Sequence, residues 1–536
     1  MSELESESSS LIGKGTWLDR VASEVIEREK KIGRSLDTLR VESGLGASGI
    51  PHIGSVGDAA RAYGVKMALE NLGEHSELIA YSDDMDALRK VPAGLPDSLN
   101  QEIAKPVSEI SDPFGCHESY GGHMSSLLLD SLDKLGIQYT FQSGYQSYKK
   151  GLLVNQIDKI LTNSSQIGDQ IAQITGQKKY LETLPYFPQC ENCGRLNVAR
   201  PTRYDHVEMK VYYECTGDEI GKKFVQGCGH KGAADIRKGE GKLSWKVEFA
   251  ARWAAFDIRF EAHGKELTDS VRINDWICDN ILGFPHPYHV VYELFQDKSG
   301  KKISKSVGNL ITPQTWLELA SPESLLMVNF KRIIGARNIS EEDIPTYMDE
   351  LDSLEDLYFG KTKEENKMKE ARLKGLYYYS KLAKPPPSPS QHVPYRLLVE
   401  LASVAPKDNA EDYVAKRLVD YKVTRSIDDQ VKRRIKYALS YAKEFTLAQE
   451  EVTLSEEERS AILELADKII GIGDPQAIQT IIFDTARSHS MEPSSLFNAL
   501  YRVLLGVQRG PRLGPYIVDM GADKVSEKLK ELASNH

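Results

Sequence analysis

Apolar positions over residues 16–37 recur at helical spacing, with Trp17, Val21, Val25, Ile26 and Ile32 on one face, and predict an amphipathic helix. The next stretch, LRVESGLGASGIPHIGSVGDAARAYGVKMALENLG, changes period. Leu39 to Val41 reads as a short buried strand, and a Gly/Ser loop follows. From about Val56 the spacing of Ala59, Ala60, Tyr63 and Met67 is helical again. Strand, glycine loop and helix make the opening unit of a nucleotide-binding α/β sheet. Residues 78–84 (LIAYSDD) read as a second strand ending in carboxylates, at the edge where open parallel sheets place their ligands. Asp83 and Asp84 there read equally well as structural or as ligand-binding groups.

Residues 105–235 carry many Gly, Pro, His and Cys in shorter elements and read as an insertion. The α/β character returns over 244–310, and SPESLLMVNF at 321–330 begins a helical stretch. Consecutive prolines in Lys384-Pro385-Pro386-Pro387-Ser388-Pro389 cannot continue a helix and mark a boundary. From Val393 onward the pattern is almost wholly amphipathic helix, as in 409–446 and 455–471. The expected organisation is a tail (1–15), the first half of a catalytic sheet (16–104), the insertion (105–235), the second half (236–320), a helical connecting region (321–390) and a helical domain (391–536).

Composition narrows the classes. The 536 residues suffice for roughly three to five domains. Hydrophobic content of 40% and charged content of 27% are those of an ordinary globular chain. No apolar run reaches the roughly 18 residues that would span a bilayer. MSELESESSS lacks the basic and apolar regions of a signal peptide, so a cytoplasmic protein is expected. Sixty-eight basic residues against 78 acidic ones give a formal charge of −10, which argues against sequence-blind coating of nucleic acid but not against local basic patches. Six cysteines in so long a chain are no disulfide framework; clustered in a reducing compartment, they suggest metal.

Two segments carry the candidate chemistry. Pro51-His52-Ile53-Gly54-Ser55 places an imidazole at a glycine-permitted turn before a helix, where it and the backbone N–H groups can meet phosphate oxygens. About 250 residues later, Lys302-Ile303-Ser304-Lys305-Ser306 offers two lysines on a glycine-bracketed loop, suited to charge that builds on phosphate in a transition state. His263-Gly264-Lys265-Glu266 falls where a strand from Ile258 to Glu261 should end, a place for a ribose contact.

Cys190-Glu-Asn-Cys193-Gly is a zinc-knuckle turn, and Cys215 and Cys228 supply a second half, with His230 an alternative fourth ligand. Asp112, Cys116, His117 and His123 bring N, S and O donors within twelve residues and could hold a second zinc or form a polar loop. Arg425, Arg433, Arg434, Arg509 and Arg512, among aromatics in the C-terminal half, are candidates for RNA phosphates.

PHIGS and KISKS, in that order, resemble the HIGH and KMSKS signatures of class I aminoacyl-tRNA synthetases. YSDDMDALRKVP, DPFGCHESY, the CxxC insert, ARWAAFDIRFEAHGKEL and RGPRLGPYI extend the resemblance to the class I lysyl-tRNA synthetase family, the mainly archaeal type, over nearly the whole chain. The resemblance implies an α/β fold: a Rossmann-like (HUP-type) parallel-sheet catalytic domain with a zinc-binding insertion, followed by an all-α anticodon-binding domain similar to that of glutamyl-tRNA synthetases. It implies a ligase that activates lysine with ATP and Mg²⁺ and passes the lysyl group to the 2′-hydroxyl of the terminal adenosine of tRNA(Lys). His52, Lys302 and Lys305 would act by positioning and charge stabilisation. Pro51, Gly54, Ser55, Gly264, Glu266 and Ser304 would join them around ATP; Glu266 stands where the family usually has aspartate, and Ser55 where the signature has histidine. Trp253, Tyr288, Tyr292 and Glu293 are candidates for the lysine side chain, with Ser48 near its carboxylate. Zn²⁺, a monomeric state and no membrane partner complete the expectation. A glutamyl-type synthetase and a catalytically silent tRNA-binding relative are the alternatives.

Overall fold

The computed structural model describes residues 11–221, 223–293, 295–296, 311–335, 337–445, 453–505, 510 and 512–534. Helix α1 spans Trp17–Lys31, closed at its start by a Thr16–Asp19 capping box. Strand β1 (Leu39–Leu45), helix α2 (Ile53–Asn71) and strand β2 (Ser76–Ser82) follow; β1 runs further than its apolar pattern suggests, and β2 lies two residues earlier than expected, ending before Asp83 and Asp84. Helix α3 (Tyr120–Lys134) leads to β3 (Thr140–Ser143), and helix α4 (Trp245–Phe256) to β4 (Ile258–Gly264) and β5 (Tyr288–Tyr292). These five strands form one all-parallel sheet in the order β5-β4-β1-β2-β3. The chain leaves β1 towards β2 on one side and returns to β4 on the other. The carboxyl ends of β1 and β4 therefore flank the switch point at which such sheets bind ligands.

Helix α2 is buried on most of its surface, so it carries small residues all round rather than one apolar stripe. A methyl group on Gly64 would come within 2.7 Å of Leu18 Cδ2 and 2.9 Å of Phe330, so this glycine sets how closely α1 approaches. Thr140–Ser143 lies within the span 105–235 read as an insertion, yet it pairs with β2 as the edge of the main sheet. The inserted element begins after it. There, Ala199–Asp205, Lys210–Cys215 and Lys231–Asp235 form a three-stranded antiparallel sheet.

A first compact unit comprises residues 1–314, 326–339 and 363–385; the second comprises 315–325, 340–362 and 386–536. The second unit is helical. The amphipathic helical pattern over 409–446 is carried by two helices, Ala410–Asp420 and Asp429–Glu444. The first ends at Asp420, Lys422 just beyond it adopts a left-handed φ of 57° before the β-branched pair Val423-Thr424, and Asp428 then caps the second helix. No helix among the described residues is long and apolar enough to cross a membrane.

Candidate functional site

His52 is the N-cap of α2, and its Nδ1 accepts from Ser55 N at 3.3 Å. That bond assigns the ring proton to Nε2, the nitrogen that can donate to an anion. Gly54 is required by this arrangement. A Cβ there would sit 2.7 Å from His52 Cε1 and 2.8 Å from Nδ1. Pro51 is buried behind the turn. The N–H of Ile53, one of the helix's unpaired first-turn donors, is satisfied by the carbonyl of Ile311 at 3.0 Å. Lys302, Ser304 and Lys305 lie outside the described residues, but Ile311, where the described chain resumes, is thus fixed beside His52.

Gly264 ends β4, and the carboxylate of the exposed Glu266 folds back over it, so that a Cβ on Gly264 would meet Glu266 Oε2 at 2.6 Å.

A cavity of about 140 Å³ opens at the carboxyl ends of β1, β2, β4 and β5. Five carboxylates line it (Asp58, Asp83, Asp86, Glu248 and Glu261) against one lining guanidinium, Arg252. Arg252 is held by three acids: Nε lies 2.5 Å from the buried Glu42, Nη2 2.8 Å from Glu261 and Nη1 3.3 Å from Asp83. Behind the lining, Lys242 pairs with Asp86 and, at 2.8 Å, with Glu248. Arg61 lies 3.5 Å from Asp58 and stacks 4.2 Å from the centre of the Tyr292 ring. Counting Glu42, six acids therefore face three bases.

Burial pushes Asp83 up to about 7 despite Arg252, and Asp58 up to about 6 despite Arg61 and the Tyr292 hydroxyl that donates to it. Burial also holds His263 below the ordinary imidazole range.

Of the residues expected to contact lysine, Trp253 and Tyr292 line the cavity. Trp253 Nε1 donates to Glu261 at 2.5 Å, and its ring packs 4.9 Å from that of His289. Tyr288 does not line it; its hydroxyl donates to Glu24 on α1 at 2.7 Å. Glu293 is half-buried, 4.0 Å from Lys265, and Ser48 lies outside this cavity, its carbonyl accepting from Tyr120 at 3.0 Å. The two strand-end acids divide: Asp83 faces the cavity, whereas Asp84 accepts from Ser143 and from Tyr145 N, both at 2.6 Å, and fixes the start of the helix Gly144–Lys149. Sequence reasoning missed Glu248, Arg252 and Glu261. The available signal was a pair of charges four residues apart on the largely apolar helix α4, facing an acid on the buried strand β4.

The four cysteines 190, 193, 215 and 228 converge, every Sγ within 4.8 Å of the others, with 3.5 Å between Cys190 and Cys228 and 3.8 Å between Cys193 and Cys215. A tetrahedron of Zn–S bonds of about 2.3 Å has edges of about 3.8 Å, so this donor set fits zinc. His230 turns instead to Glu191, at 2.6 Å. Asp112, Cys116, His117 and His123 converge equally: Cys116 Sγ is 3.2 Å from Nδ1 of each histidine, and Asp112 Oδ2 is 3.4 Å from His123 Nδ1. Backbone N–H groups of Phe114, Cys116 and His117 orient the carboxylate, the outer-shell support a ligating acid needs.

In the second unit, Arg425, Arg433 and Arg512 are exposed, and Arg509 lies outside the described residues. Arg434 was expected to meet RNA but is buried: it forms two 2.8 Å bonds to Asp352 and one of 3.1 Å to the Val393 carbonyl. It faces inward because Val431, Ile435 and Ala438 share its side of the helix.

The family model for tRNA synthetases class I (K) matches residues 15–382. The chain belongs to this family. A lysine–tRNA ligase of Cenarchaeum symbiosum (strain A) is 50% identical over 520 residues, covering 97% of this synthetase and 99% of the relative. A lysine–tRNA ligase of Archaeoglobus fulgidus is 29% identical over 525 residues, covering 96% and 99%. Among solved structures, a glutamate-tRNA synthetase from Elizabethkingia anophelis covers 93% of this synthetase at 12% identity, with a TM-score of only 0.34.

Proposed function

We propose that the protein is a lysine–tRNA ligase: it activates L-lysine with ATP to lysyl-adenylate and pyrophosphate, then transfers the lysyl group to the 2′-hydroxyl of the terminal adenosine of tRNA(Lys). The observation that carries this reading is the acid surplus of the cavity at the sheet's switch point. Lysine brings two ammonium groups, and aromatic walls at Trp253 and Tyr292 suit its methylene stem. A glutamate side chain would enter against five carboxylates, which argues against the glutamyl alternative.

In this reading His52 Nε2–H and the Gly54 N–H at the start of α2 hold the triphosphate of ATP, and Gly264 and Glu266 the ribose. Lys302 and Lys305 neutralise the charge that develops as pyrophosphate leaves. The bond between Ile53 and Ile311 supports that assignment. Lys305 stands six residues before Ile311, so the chain can carry it no further than about 20 Å from that anchor. Mg²⁺ would accompany the phosphates of ATP, and zinc would occupy the two convergent donor sets as a structural ion.

Charging of tRNA with radiolabelled lysine and glutamate in parallel tests the reading. Lysine alone should be attached; attachment of glutamate alone would overturn it.

A further inference from the structure

A second cavity, of about 350 Å³, shares Asp86 with the acid cavity and is otherwise lined by Ser48, Arg89, Lys90, Pro92 and neighbouring alanines. That volume is at the small end of ligand sites, roughly 300–1,000 Å³, and has room for about one nucleotide. Its wall is fixed. Residues 86–88 run antiparallel to 104–107, with Leu88 N donating to Lys105 O, Ala104 N to Leu88 O and Val107 N to Asp86 O, each at 2.9 Å. The four-cysteine element braces the same strand, since Leu196 N donates to Ala104 O at 2.8 Å and Arg195 to Gln101 O at 3.4 Å.

Arg89 and Lys90 are exposed, and neither side chain has an ion-pair or hydrogen-bond partner among the described residues. In the acid cavity next door, by contrast, every base is paired with acids. Two adjacent unpaired cations on a braced wall, in a chain of net charge −10, suit an anionic ligand. Asp86 also lines the cavity, but its carboxylate is engaged by Lys242.

The phosphate class leaves two sources, ATP and the tRNA. Neither His52 nor Gly264 lines this cavity. It adjoins, through Asp86, the acid cavity that the ligase reading assigns to lysine. We infer that Arg89 and Lys90 grip the phosphodiester leading into the terminal adenosine of the tRNA, and that the space between them and Ser48 seats the nucleotide there. This presents the 2′-hydroxyl to the acid cavity. The inference rests on the lysine–tRNA ligase reading and names residues that position the acceptor end.

The test pairs the variant R89A/K90A with the charge-conserving swap R89K/K90R. R89A/K90A should lower kcat/KM for tRNA charging by about tenfold or more, the loss of roughly 1.4 kcal/mol or more of charge-assisted contact. ATP should bind it within twofold of the wild-type affinity. The slope of log affinity for tRNA against log salt should become shallower by about 0.7 per lost single-strand phosphate contact. A tRNA shortened by its three 3′ nucleotides should bind variant and wild type alike, and R89K/K90R should recover most of the charging. Parallel loss of ATP affinity would assign the cations to the triphosphate. Equal loss of intact and shortened tRNA would place them on another part of the molecule. Unchanged charging would leave them without a role. Each of these overturns the inference. Failure of the wild-type protein to charge any tRNA with lysine would instead strike the ligase reading.

Discussion

Arg252 and Glu42 form a buried ion pair against the parallel sheet, Nε to Oε1 at 2.5 Å, with both side chains almost fully withdrawn from solvent. Glu42 is on β1 and Arg252 on α4, so the pair ties the helix to the strand that begins the site. Removing one member of a buried pair strands the other charge, at a cost of about 3–5 kcal/mol. Arg252→Met should therefore lower stability to urea by that order and weaken lysine binding. Arg252→Lys should recover little, because one ammonium cannot span Glu42, Glu261 and Asp83.

Substitution at Gly54 should separate folding from the proposed chemistry. Alanine there displaces the His52 ring while improving helix propensity, so Gly54→Ala should leave thermal stability within about 0.5 kcal/mol of wild type. Single-turnover adenylate formation with saturating tRNA should fall for it, and should fall by about 10²–10³ for His52→Ala. If Gly54→Ala kept full rate, the imidazole would have no part in the reaction.

Local signals in the sequence reach part of this site. The strand, glycine loop and helix around His52 follow from local period and turn chemistry, and the cysteine spacing marks a metal site. The acid cavity is not legible in that way, because Glu42, Asp58, Glu248, Arg252 and Glu261 are scattered along the chain and only the sheet order brings them together. Arg434 misleads for a related reason: its basic neighbours Lys432 and Arg433 face solvent, and sequence does not show that the next position of the helix faces Asp352.

Metal content should be two zinc ions per chain. Cys193→Ser should remove one and Cys116→Ser the other, read by elemental analysis of the purified protein. Because the four-cysteine element braces residues 101–104, Cys193→Ser should also impair tRNA charging more than ATP affinity. Full occupancy after either substitution would show that the cluster concerned is not the ligand set.

His392 supplies a pH signature for the helical unit. Its ring lies 3.3 Å from Glu355, 3.3 Å from Asp356 and 4.0 Å from Asp352, with Arg434 and Lys361 sharing those acids. Burial opposes its charge, but the three carboxylates prevail and raise its pKa above the ordinary 6.5. The folded state thus binds the proton more tightly than the unfolded chain. The stabilisation is complete below about pH 6.5 and is lost as pH climbs through the folded value. Asp349, raised to about 6 by burial, works in the same direction at lower pH. Melting followed by circular dichroism should show stability declining above neutrality, and His392→Gln should flatten that decline.

The bond between Ile53 and Ile311 is made by main-chain atoms alone. Side-chain drift at either position therefore leaves it standing, and the one coded replacement that deletes its donor is proline at 53. The start of α2 and the chain at Ile311 are in this way registered by backbone, so the long stretch of chain between them can gain or shed loops without moving the seam.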